Sequence, residues 1–311
     1  MRISNNMIFE RTLRDINKNR QALADVQRDI STGKRIHRTS DDPATAAQIQ
    51  LLVRQVSENA TYLDNVNSAE TFLRDTDAAL SNQQDILLRL QDRFTQAASG
   101  ALTQETRQQL VLEMRSLREA ARQVANAQDG QGRYLFNGAK TSGEPPYPAE
   151  DLTLGTQGAG TLTLEIARGE TVKASVNGVE VFGDTMAEPR EDIFAVIDNF
   201  AAYLEAGNSD SRDPSSGSLL SVPQLALKNL NDNIKNLVAV RGSVASSLQS
   251  LQERSTRLID QKMTLEGRLE DIQAADIPTA SLKFTQYDVA FRTALAVSGR
   301  TLPTSLVDYL R

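Results

Sequence analysis

Residues 31–49 read STGKRIHRTSDDPATAAQI and lie between two helical patterns. The stretch holds the chain's only histidine, His37, three further bases (Lys34, Arg35, Arg38) and the adjacent acids Asp41 and Asp42. Three readings compete: an active site, an anion-binding loop and a connector. A metal site needs three or four converging ligands, and no second histidine is available to join His37. We therefore read His37 as a solvated connector residue. Asp42 directly precedes Pro43, the order expected of a helix N-cap followed by proline at the first helical position. Both aspartates also suit the positive end of a helix dipole. Gly33 permits a turn after the first helix. The bases have no aromatic residues between them, so solvation or a neighbouring acidic surface fits them better than phosphate. The stretch reads as a joint, with Gly33, Arg35, Asp41, Asp42 and Pro43 forming its turn and cap.

What the joint connects follows from periodicity. Before it, Phe9, Ile16, Leu23 and Ile30 recur at seven-residue spacing, with Leu13 and Val26 between them, a narrow apolar seam on a polar helix. After it, a helical pattern runs from about 44 to 99 and carries Val66, Leu73, Leu80, Leu87 and Phe94. Gly100 is a natural stop and Thr103 a natural cap for a third helix, whose face is Leu110, Met114, Leu117, Ala121 and Val124. Far along the chain, Ser221-Val-Pro-Gln224 has the form of a capping box. From there Leu230, Leu237, Val244, Leu251, Leu258, Leu265 and Ile272 keep strict heptad spacing. Asp276-Ile277-Pro278 should end that helix, because the residue before proline disfavours helix. A last amphipathic segment places Phe284, Tyr287, Phe291 and Leu295 on one face.

The middle differs in kind. Residues 129–148 are turn-rich and 160–183 alternate apolar and polar positions. Asn177-Gly178 between Val176 and Val179 is the strongest short-range hairpin signal. The spacing therefore predicts a mainly α protein with a small β insert. Residues 1–43 form an amino-terminal assembly helix with its linker, pairing with 276–311, a carboxyl-terminal assembly helix. Residues 44–139 and 190–275 form a helical bundle, and 140–189 a mainly β insert. A lone helix gains most of its stability from packing. The terminal seams (Phe9, Ile16, Leu23, Ile30; Phe284, Tyr287, Phe291, Leu295) should therefore pair with each other and with copies in other subunits.

Composition narrows the function classes. In the 311 residues the net charge is −6, which argues against a nucleic-acid partner. Cysteine is absent, which excludes disulfides and thiolate chemistry. The longest apolar run near the start is Met7-Ile8-Phe9, too short for a cleaved secretory signal, and no segment suits membrane insertion. Residues 137–143, NGAKTSG, lack the glycine spacing of a phosphate loop. No nucleophile–base pair occurs in the insert, so the expectation is a non-enzyme without cofactor or metal.

The joint resembles that of bacterial flagellins through Ser31-Thr32-Gly33, Arg35-Ile36 and Ser40-Asp41-Asp42. Proline after the aspartates, GRYLFNGAKT (132–141), VNGVEVFG (176–183), DIFAVIDNF (192–200) and the SLVDYL run at 305–310 are similar to a sister family, the flagellar hook–filament junction proteins. The resemblance spans nearly the whole chain and is weakest at 142–175. It implies a structural subunit exported unfolded by the flagellar type III apparatus and located outside the cell in the flagellum. It further implies a ring of copies between hook-associated protein 1 and flagellin, built through paired terminal helices. The carboxyl-terminal segment would first be held by a cytoplasmic export chaperone, for which an amphipathic face suits helix-in-groove binding. Flagellin itself, or a type III needle-tip or translocator protein, are the competing readings.

Overall fold

A computed structural model describes residues 5–98, 102–140, 142–148, 160–183, 191–207 and 221–309. Gly100 and the stop expected there lie outside the described residues. Among the described residues, seven helices and one hairpin follow in chain order: α1 (Asn5–Thr32), α2 (Pro43–Ala98), α3 (Gln104–Ala125), β1 (Thr163–Ala167), β2 (Glu170–Lys173), α4 (Gly178–Phe182), α5 (Ile193–Glu205), α6 (Val222–Gln273) and α7 (Ile277–Tyr309). The protein is mainly α with a small antiparallel sheet, as the periodicity predicts. It divides into two compact units: residues 1–58 with 261–311, and residues 59–260.

The larger unit is built on two heptad seams. Val66, Leu73, Leu80, Leu87 and Phe94 of α2 are all at most 1% exposed, and Leu230, Leu237, Val244, Leu251 and Leu258 of α6 at most 2%. Each fully buried side chain of this size contributes about 1.5–3 kcal/mol relative to exposure. Cross-helix hydrogen bonds fix an antiparallel register. Arg241 donates to Asp77 Oδ1 at 3.1 Å and to Gln84 Oε1 at 2.7 Å, and Gln91 donates to Asn231 at 2.6 Å. A second series on α2, at 69, 76, 83, 90 and 97, is also buried, but Thr76 and Gln83 make it partly polar.

Local chemistry starts the remaining helices. Thr103 caps α3 by accepting from the Thr106 amide, and Asp192 caps α5 by accepting from Phe194 N at 3.1 Å. At α6 the Gln224 side chain accepts from the Ser221 amide at 3.2 Å, one half of the expected capping box. α5 packs on α3 and brings Phe200 to 4.2 Å from Phe94. Around it Phe136, Tyr147, Phe182 and Phe194 form an aromatic cluster with ring centroids 5.2–6.0 Å apart.

The insert corrects one expectation. Asn177-Gly178 is not a hairpin turn: Asn177 accepts from the Val179 amide and caps α4. The preceding residues are buried and the Gly178 amide is engaged by the Phe136 carbonyl at 3.0 Å. A helix start satisfies these groups where a free hairpin tip would not. The hairpin lies earlier, with β1 paired to β2 around Arg168 and Gly169, where Gly169 has φ +76°. Within the same unit, Asn65 of α2 donates to the Glu165 carbonyl at 2.7 Å, and Arg254 of α6 lies 3.5 Å from Glu170. The hairpin is thereby fastened to both long helices.

Candidate assembly interface

In the smaller unit α1 packs against α7. Along the α1 seam Val26 is buried, while Ile16, Leu23 and Ile30 are half-buried and Leu13 is exposed. The side chain of Phe9 lies outside the described residues. On α7, Phe284, Tyr287 and Phe291 are half-buried, and Leu295 remains 47% exposed. The pair thus covers only part of its apolar surface. Of the fourteen large apolar side chains exposed among the described residues, ten belong to this unit, including Met7, Leu51, Leu282, Val289 and Val297. Isolated exposed apolar residues are ordinary, but a concentration of them marks an interaction surface.

The joint sits at one end of α1. Gly33 follows the helix with φ +69°, and its amide closes the last turn onto the Asp29 carbonyl at 2.9 Å. That left-handed residue is the usual helix terminator. The chain then pairs with the segment leaving α6. Arg35 N donates to the Gln273 carbonyl and Ala275 N to the Gly33 carbonyl, each at 2.8 Å. The two connectors form an antiparallel bridge between Lys34 and Ala274.

On either side of this bridge stands a matched helix cap. Asp42 accepts from Thr45 N at 3.1 Å and from the Thr45 hydroxyl at 2.5 Å, at the start of α2. Asp276 accepts from Thr279 N at 3.2 Å and from the Thr279 hydroxyl at 2.5 Å, at the start of α7. Hydrogen bonds from threonine hold both carboxyls below their usual range. α6 ends just before this stretch, as the spacing predicts. Asp276 then caps α7, and Ile277-Pro278 lies in its first turn, where proline forfeits no helical hydrogen bond. The shared pattern, aspartate three residues before threonine with an intervening proline, was the available signal.

Asp41 ties the connector itself. Its carboxylate accepts from the amides of His37 at 3.1 Å and Arg38 at 2.9 Å, and these bonds lower its pKa, the Arg38 amide first. His37 departs from the solvated reading: its Nε2 lies 2.8 Å from Asp29 Oδ1, and its side chain is 13% exposed. The tight turn at Gly33 folds the connector back along the last turn of α1 and brings the ring to that carboxylate. Lys34, Arg35 and Arg38 are exposed. Among the described residues no group of three His, Asp or Glu side chains could hold a metal ion, and no helix is long and apolar enough to cross a membrane.

Residues 3–141 match the bacterial flagellin N-terminal helical region. The chain is 24% identical to flagellar hook-associated protein 3 of Escherichia coli (strain K12), over 97% of this chain and 98% of that protein. It is equally similar to the protein of the same name from Salmonella typhimurium, at 24% identity with the same coverage. The crystal structure of FlgL from Xanthomonas campestris shares the fold with TM-score 0.59 and 17% identity, covering 70% of this chain and 99% of that one. The chain is thus similar to the flagellin N-terminal helical region over residues 3–141 and to flagellar hook-associated protein 3 over nearly all of its length.

Proposed function

We propose that this protein is a structural subunit of the bacterial flagellum that joins the hook to the flagellin filament. The observation that carries the reading is a flagellin-type amino-terminal region within a chain that matches hook-associated protein 3 over 97% of its residues. The partly covered α1–α7 pair supports it, because its apolar seams require further copies to be buried. In this reading a ring of copies stands on hook-associated protein 1 and receives flagellin. The subunit reaches the cell exterior through the flagellar export channel. Before export a cytoplasmic chaperone covers the apolar face of α7. No catalytic role is assigned to any residue.

Deleting the protein and imaging the cells tests this directly. Hooks without filaments, with flagellin shed into the medium, are expected. Normal filaments on the deleted cells would overturn the junction role. The flagellin-type region at 3–141 also favours a second reading, the filament subunit itself. Long filaments formed by the purified protein alone would select that one.

A further inference from the structure

All the sulfur of this chain is thioether: it holds five methionines and no cysteine. Met1 and Met186 lie outside the described residues. Met114 is 0% exposed, in the core of the larger unit. Met7 and Met263 are 60% and 58% exposed, and both belong to the smaller unit. Their positions on the helices correspond. Met7 stands two residues before Phe9 of the α1 seam, and Met263 two residues before Leu265 of the α6 seam. Two residues along a helix is about 200° of rotation, so each thioether lies on the side turned away from its own seam. Both are among the exposed large apolar side chains concentrated in this unit. Packing of the seams within one copy therefore leaves the two sulfurs open to water.

We propose that Met7 and Met263 make the assembly surface of the smaller unit peroxide-sensitive: hydrogen peroxide converts both to the sulfoxide and weakens association between copies. The reaction needs only access to the sulfur. The thioether gives an electron pair to one peroxide oxygen, the O–O bond breaks, and hydroxide departs. The hydroxide then takes the proton from the transferred oxygen and leaves as water. Sulfur is oxidised by two electrons and peroxide reduced by two. The product is a polar, chiral side chain in place of a flexible apolar one. Methionine is enriched where proteins meet, whereas a sulfoxide oxygen buried there without a donor opposes the contact. A neighbouring copy seated on this surface would in turn shield both sulfurs. The inference rests on the subunit reading above and names a chemical control over the surface which that reading uses.

The test treats the full chain with hydrogen peroxide, maps sulfoxide by peptide mass spectrometry, and reads self-association by sedimentation across protein concentration. In the free subunit Met7 and Met263 should oxidise roughly tenfold or more faster than Met114, because susceptibility follows exposure. Assembly should slow both. The oxidised chain should self-associate roughly tenfold or more weakly, as a polar group enters an apolar contact, and enzymatic reduction of the sulfoxides should restore it. Melting of the larger unit, followed by circular dichroism, should not change, since Met114 is untouched. Met7→Leu/Met263→Leu keeps the apolar volume; it should associate like wild type and resist peroxide. An oxidised wild-type chain that associates as before overturns the switch alone. So does a leucine variant that still loses association in peroxide, since its sensitivity then lies at another methionine. A chain that stays monomeric at every concentration before peroxide is added overturns the subunit reading and the switch with it.

Discussion

The amide of Arg35 donates to the carbonyl of Gln273 at 2.8 Å, joining two connectors separated by most of the sequence. This bond and its partner from Ala275 to Gly33 mean that the exits of α1 and α6 are paired as backbone. The connection that resembled a reactive site is a hydrogen-bonded joint flanked by two Asp–Thr caps.

Gly33 should tolerate substitution poorly for a backbone reason alone. Its φ is +69°, and an added Cβ would meet nothing within 4 Å. Gly33→Ala should cost about 1–2 kcal/mol from the left-handed conformation, with Gly33→Asn milder. Hydrogen exchange of the Arg35 and Ala275 amides measures the loss.

Acid should loosen the two caps. Asp42 and Asp276 have lowered pKa values because Thr45 and Thr279 donate to their ionised forms. Such groups add stability above the ordinary carboxylate range, and that stability is lost as pH falls through the lowered values. Protection of the Thr45 and Thr279 amides should therefore decline below about pH 4. Asp42→Asn and Asp276→Asn should each abolish the dependence at their own site. Protection that stays flat to pH 2 in the wild type would contradict it.

Gln83 lies in the core of the larger unit at 0% exposure, and neither of its side-chain polar atoms has a partner. Leaving such groups unsatisfied costs about 1–3 kcal/mol. Gln83→Leu should accordingly raise the denaturation midpoint. Leu80→Ala, three residues away, should lower the unfolding free energy by about 2–5 kcal/mol through lost packing and a cavity. A Gln83→Leu chain less stable than wild type would show that the amide is satisfied in solution.

The terminal seams should separate assembly from folding of the larger unit. Leu23→Asp or Phe291→Asp should abolish self-association while leaving melting of residues 59–260 unchanged. We further expect proteolysis of the free subunit to remove the ends first and spare about 44–275, because seams half-buried in one copy gain their remaining burial only in the assembly. Ends as resistant as the bundle would count against coupled ordering.

The sequence by itself determined the helices, their seams and most of their starts. Leu73, Leu80 and Leu87, like Leu237, Val244 and Leu251, follow a local period, and one face of a helix is set by spacing alone. The Asp42-Pro43 and Thr103 caps were likewise legible, because a cap involves residues three apart. The tertiary structure decided what depends on distant partners. It paired 33–35 with 273–275, turned His37 onto Asp29, made Asn177 a cap instead of a turn, and buried Gln83 without a partner. None of these follows from local spacing, because each depends on which groups the rest of the chain brings near. For a backbone amide such as that of Arg35, sequence can state that an acceptor is required; only the fold could supply Gln273.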